Sequence, residues 1–133
     1  MEAKDIRWRQ RFQNLKKAYT QFEAAIKDFD RLSVLEKEGL IQRFEYTFEL
    51  SWKTLRDYLE SQGISVQYPR EVIKTAFQYD IIRDGDLWMD MLENRNLMSH
   101  TYDEERFKVA VAKIKDGFYD AVTQVYKELG DRA

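Results

Sequence analysis

Bulky apolar residues in the first part of the chain recur at alternating steps of four and three: Trp8, Phe12, Leu15, Tyr19, Phe22, Ile26 and Phe29. Only a helix with 3.6 residues per turn brings such positions onto one face, and this spacing predicts a helix over residues 5–30. A turn is expected from Leu32 to Gly39. A second seam follows in Ile41, Phe44, Phe48, Trp52, Leu55 and Leu59, ending near Gly63, where a glycine suits a helix C-terminus. A third long seam runs through Phe107, Val111, Ile114, Phe118, Val122, Val125 and Leu129. Its helix starts after Asp103, with Glu104 and Glu105 favourably placed in the first turn. Between them, Pro69 opens a shorter helix with Val72, Ile73, Ala76 and Phe77 apolar, stopping near Asp84 and Gly85. Asp86 is the expected N-cap of a further short helix carrying Leu87, Trp88, Met91, Leu92 and Arg95.

Three long helices and two short ones, joined by short turns, predict an all-α fold: an antiparallel four-helix-type bundle. No segment sustains the period-two alternation of a strand. A chain of 133 residues suits one domain, residues 1–133, and 44% hydrophobic content supplies a core without staples. There is no cysteine, which excludes disulfides and thiolate metal sites. Charged residues reach 35%, yet the formal net charge is only −2, which does not mark a nucleic-acid binder. No apolar run approaches the roughly 18 residues of a membrane span, and the charged start is unlike a secretory signal. A cytoplasmic protein with no membrane contact is therefore expected, with no cofactor and no metal. The aromatic richness of the seams hints at an oligomeric face.

Chemistry converges on one stretch. His100 is the single histidine, the natural proton carrier near neutral pH, and it lies between Arg95 and Tyr102. On a continuous helix Arg95 and His100 point about 140° apart, so they converge only where the helix ends near Ser99. Arg95 and Tyr102 share a face if it continues. In the functional reading Arg95 clamps a phosphate, His100 moves a proton on or off a ribose hydroxyl, and Tyr102 orients either or receives a group. In the structural reading Arg95 pairs with Glu93 or another acidic neighbour, His100 caps the helix and Tyr102 packs on the last helix. Glu45, Glu49 and Glu60 read as the solvated face of the second helix. From Asp84 to Glu105 seven carboxylates face Arg95 alone, a net of −6, so a phosphate there needs basic residues from elsewhere. The first 17 residues carry a net of +4. No glycine-rich phosphate loop or nucleophile elbow occurs.

The run from Phe44 to Leu59, FEYTFELSWKTLRDYL, with Gly63, Pro69-Arg70-Glu71 and the segment from Arg95 to Tyr102, resembles the nucleotidyltransferase substrate-binding protein family. That family is a branch of the HEPN superfamily. The resemblance covers nearly the whole chain. The defining motif is Arg, a polar residue, three more residues, then His, often extended to R-x4-H-x-Y; Arg95, Asn96, His100 and Tyr102 match it. The resemblance implies a HEPN-like bundle that forms a homodimer and has a partner encoded beside it, a minimal nucleotidyltransferase. It leaves two functions. One is a partner and substrate-binding subunit of that enzyme, with a nucleotide- or phosphate-binding groove at the motif. The other is a metal-independent ribonuclease toxin acting on RNA and neutralised by the nucleotidyltransferase. In the second, Arg95 and His100 are catalytic, Asn96 is supportive, and Tyr102 is the hydroxyl that the partner adenylylates.

Overall fold

The computed structural model describes residues 2–97 and 103–133. Among these the chain is helical throughout, with no strand. The first long helix, α1, spans Ala3–Lys27, followed by one 3-10 turn at Phe29–Arg31. Trp8, Phe12, Leu15, Tyr19 and Phe22 are buried as their spacing requires, while Ile26 and Phe29 are only partly covered.

The second helix, α2, spans Val34–Ser61 and begins earlier than the expected turn allows. The reason is a capping box. Ser33 accepts the backbone N–H of Glu36 (3.1 Å), and the Glu36 carboxylate accepts that of Ser33 (2.9 Å). Two orphan donors are thereby satisfied, and helix starts at once. Those hydrogen bonds hold the Glu36 carboxyl below its usual pKa. Gly63 ends the helix region with a φ of +84°, a left-handed conformation that a side chain rarely adopts.

Helix α3 spans Pro69–Gln78 and stops well before Asp84, because the chain turns sharply at Asp80, whose φ is +61°. Ile81 and Ile82 then plunge into the core. Helix α4 spans Gly85–Glu93, and its cap is Asp84 rather than Asp86: the Asp84 carboxylate accepts the Leu87 N–H at 3.0 Å. Asp86 lies in the first turn instead. Phe77, expected on the buried face, is 48% exposed. Its ring leans on Gly85, where a Cβ would come within 3.0 Å.

Asp103 caps helix α5, Glu104–Lys113, by accepting the N–H groups of Glu105 and Arg106. A π-helical turn, Ile114–Phe118, joins α5 to helix α6, Tyr119–Arg132. The widened turn accommodates two successive steps of four, Ile114 to Phe118 to Val122, and keeps all three buried.

Pairings across the bundle fix its directions. Arg11 meets Asp57 and Arg43 meets Gln21, so α1 and α2 are antiparallel. Tyr19 meets Thr123 and Phe12 stacks on Tyr126, so α6 is antiparallel to α1. Phe44 stacks on Phe118 at 5.2 Å and Arg132 donates to the Tyr58 hydroxyl, so α5–α6 runs parallel to α2. Phe48 packs on Trp88 at 5.7 Å, bringing α4 onto the same helix. Nearly every position of α2 from Thr47 to Leu59 is buried or half-buried. Its buried hydroxyls are satisfied within the helix: Thr47, Ser51 and Thr54 donate to the carbonyls of Arg43, Thr47 and Leu50. The seam aromatics are thus largely consumed inside the chain. Among the described residues no helix is long and apolar enough to cross a membrane.

Candidate functional site

Arg95 sits just past the end of α4. The helix closes at Glu93, and Asn94 folds back over it, its side-chain amide donating to the Asp90 carbonyl (2.8 Å) and carboxylate (2.7 Å). Arg95 therefore lies outside the regular helix, and the face arithmetic of a continuous helix through Tyr102 does not apply. Asn96 is exposed, and Leu97 is buried and pins the turn to the core. His100 and Tyr102 lie outside the described residues, as does Ser99, the expected helix end. The structure places the first half of the R-x4-H-x-Y motif.

The partner of Arg95 comes from elsewhere in the fold. Its guanidinium lies 3.8 Å from the Glu49 carboxylate of α2, and both side chains are more than a third exposed. The second oxygen of Glu49 accepts the Trp52 indole N–H at 2.9 Å. Glu49 is thus fixed on one side by a buried tryptophan and offers its other oxygen to Arg95. A pair this exposed is worth about 0–1 kcal/mol, so Arg95 remains available for a stronger anion. Glu60 likewise does more than face solvent, lying 3.6 Å from Arg7.

Basic residues do reach the acidic junction. A cleft of about 310 Å³ opens between the end of α4 and α5, lined by Asn94, Leu97, Glu105, Arg106, Val109, Ala110 and Lys113. Arg106 pairs with Asp103 (3.7 Å) and Lys113 with Asp90 (3.6 Å), offsetting part of the local negative charge. The basic start of α1 docks further along α2, where Arg11 binds Asp57. Eight residues of helix separate Glu49 from Asp57, about 12 Å. No cluster of three or more metal-ligating side chains occurs among the described residues.

The sequence reading took Glu49 for solvated face and did not single out Asp57, yet both are paired. Glu49 had a local signal, since a carboxylate three residues before a buried tryptophan on one helix can reach its indole N–H. Asp57 had another: a carboxylate between Leu55, Tyr58 and Leu59 on a buried face requires a paired cation.

An all-helical bundle with a polar helix junction at Arg95 has close counterparts among known folds. The chain belongs to the family described as nucleotidyltransferase substrate binding protein like, whose model matches residues 10–131. A Haemophilus influenzae protein named probable ribonuclease HepT is 32% identical over 83 residues; the match spans 59% of this chain and 57% of that protein. A crystal structure from Thermus thermophilus superposes with a TM-score of 0.76 at 32% identity, covering 86% of this chain and 98% of that one. Another structure, from Haemophilus influenzae, superposes with a TM-score of 0.73 at 25% identity, covering 90% and 98%. That structure is reported to reveal the fold of a substrate binding domain of a nucleotidyltransferase.

Proposed function

We propose that this chain is the partner and substrate-binding subunit of a two-component minimal nucleotidyltransferase, with a nucleotide- or phosphate-binding groove at Arg95, Asn96, His100 and Tyr102. The observation that carries this reading is the match over nearly the full length of a substrate-binding-domain fold. The placement of Arg95 supports it. An arginine beyond a helix end, held by one half-exposed carboxylate, trades that weak pair readily for a bidentate phosphate. The working unit is a cytoplasmic homodimer bound to a nucleotidyltransferase, so that two copies of the motif serve one assembly.

A second reading draws on the HepT relative: a metal-independent ribonuclease, with Arg95 and His100 acting on RNA. Arg95 would stabilise the phosphorane-like charge while His100 shuttles the proton of the ribose 2′-hydroxyl. Adenylylation of Tyr102 by the partner would then place a phosphodiester beside Arg95 and silence the site.

Expression of the chain alone in a bacterial host tests the choice. A binding subunit leaves growth unchanged. Growth arrest relieved by Arg95→Ala or His100→Ala overturns the first reading in favour of the second. Intact mass after incubation with partner, ATP and magnesium reads the modification. A gain of one adenylate, lost in Tyr102→Phe, identifies Tyr102 as the acceptor.

A further inference from the structure

The strongest unassigned feature lies further along α2, about two helical turns beyond Glu49 and the Arg95 junction. Asp57 is 3% exposed and binds two arginines at once: the Nε–H of Arg11 from α1 goes to one carboxylate oxygen and that of Arg56 to the other. A buried carboxylate needs one cation to satisfy its charge. Drawing two guanidiniums to it leaves a positive charge unneutralised and sets the pair against mutual repulsion. Each guanidinium has five N–H donors, and the Nε bond to Asp57 uses one. Both arginines line an open cleft of about 580 Å³, together with Arg7, Gln67 and Tyr68. Glu60 also borders it but is shared with Arg7 at 3.6 Å. Three arginines thus line the cleft against two carboxylates, Glu60 and the nearly buried Asp57.

Tyr68 supplies the second element. It is the N-cap residue of α3, immediately before Pro69, and makes no side-chain cap bond. The residue is 69% exposed, on a backbone held by the proline that follows. A flat, uncovered aromatic beside an arginine fork is the chemistry that recognises a ring joined to a phosphate. We infer that this cleft binds a nucleotide phosphate monoester, its phosphate held by Arg7, Arg11 and Arg56 and its base stacked on Tyr68. Asp57 positions the two inner guanidiniums from the wall of the cleft. The site is connected to the junction through one side chain: Arg56 lies 5.4 Å over the Trp52 ring, and Trp52 holds Glu49, the partner of Arg95. All of these residues belong to α1, α2 and the start of α3, and the cleft takes the same ligand whether the R-x4-H-x-Y segment serves binding or cleavage.

Isothermal titration with adenosine 5′-monophosphate, inorganic phosphate and adenosine tests it on the full chain. The monophosphate is expected to bind saturably, inorganic phosphate more weakly, and adenosine not at all. Arg56→Gln is expected to weaken monophosphate binding about tenfold or more, since a charged bond to phosphate is lost. Because Arg56→Gln also disturbs Asp57, Arg7→Gln serves as the second variant. Arg7 is exposed and its replacement leaves the buried pair intact, yet it is expected to weaken binding several-fold. Tyr68→Ala is expected to cost about fivefold or more, and Tyr68→Phe little. The inference is overturned by no binding at millimolar monophosphate. Equal affinity of phosphate and monophosphate, or binding lost in Arg95→Ala but unchanged in Arg7→Gln and Tyr68→Ala, overturns it as well.

Discussion

Two sets of contacts between α2 and its neighbours are built on opposite terms. From Thr47 to Leu59 the helix is enclosed by α1, α4 and α6, its hydroxyls bonded to its own carbonyls and its aromatics interlocked. At the junction after α4, polar side chains stand in a turn, and among the described residues Arg95 pairs with Glu49 of α2, both half-exposed. Both regions draw on the same helix, yet one is held by burial along its length and the other by the buried Leu97 and by exchangeable polar contacts. Residues that are costly to the fold and residues free to serve a ligand can thus be told apart by their surroundings. Substitutions in the first region should lower stability with the site intact; those in the second should do the reverse.

The largest expected effect is in the core. Phe48→Ala removes a fully buried ring packed on Trp88 and should cost about 3–5 kcal/mol in urea unfolding. A loss below about 1 kcal/mol would show the enclosure to be looser than described. Asp57→Ala comes next. It leaves Arg11 and Arg56 facing each other without their carboxylate, but both are partly exposed, so the cost should be about 2 kcal/mol. Ser33→Ala breaks the capping box of α2 and should cost about 1 kcal/mol. Arg95→Ala should change stability by less than about 1 kcal/mol while abolishing whatever the junction binds or cleaves.

A pH experiment sharpens the contrast. The Glu23 carboxyl, between α1 and α6, is held below its ordinary pKa chiefly by the hydroxyl of Tyr119, which donates to it at 3.0 Å. Its folded pKa is depressed, so its contribution is present above the unfolded carboxylate value and disappears as pH falls through the folded one. Tyr119→Phe should shrink that acid-side loss in thermal melts across the carboxylate range. An unchanged acid limb would show that the hydrogen bond does not operate in solution.

The long helices were legible in the sequence because their cores obey a local rule: a step of four or three places each bulky residue on one face. The misjudged boundaries had local causes as well. The Ser33–Glu36 box lies inside the turn expected to extend to Gly39, and Asp84 stands two residues before the aspartate expected as cap. What spacing could not supply was contact across the chain. Nothing near Arg95 in sequence announces Glu49, 46 residues away, and nothing near Arg11 announces Asp57. The motif itself was recognisable from its residues, but what His100 and Tyr102 face depends on the fold around them rather than on the pattern that marks them.

The central claim is that the chain functions in complex with a nucleotidyltransferase. Size-exclusion chromatography with light scattering, on the chain mixed at low salt with the minimal nucleotidyltransferase proposed as its partner, tests that most directly. The expected result is one peak whose mass contains both proteins, formed at the expense of the free chain. Independent elution of the two proteins at micromolar concentration would contradict it.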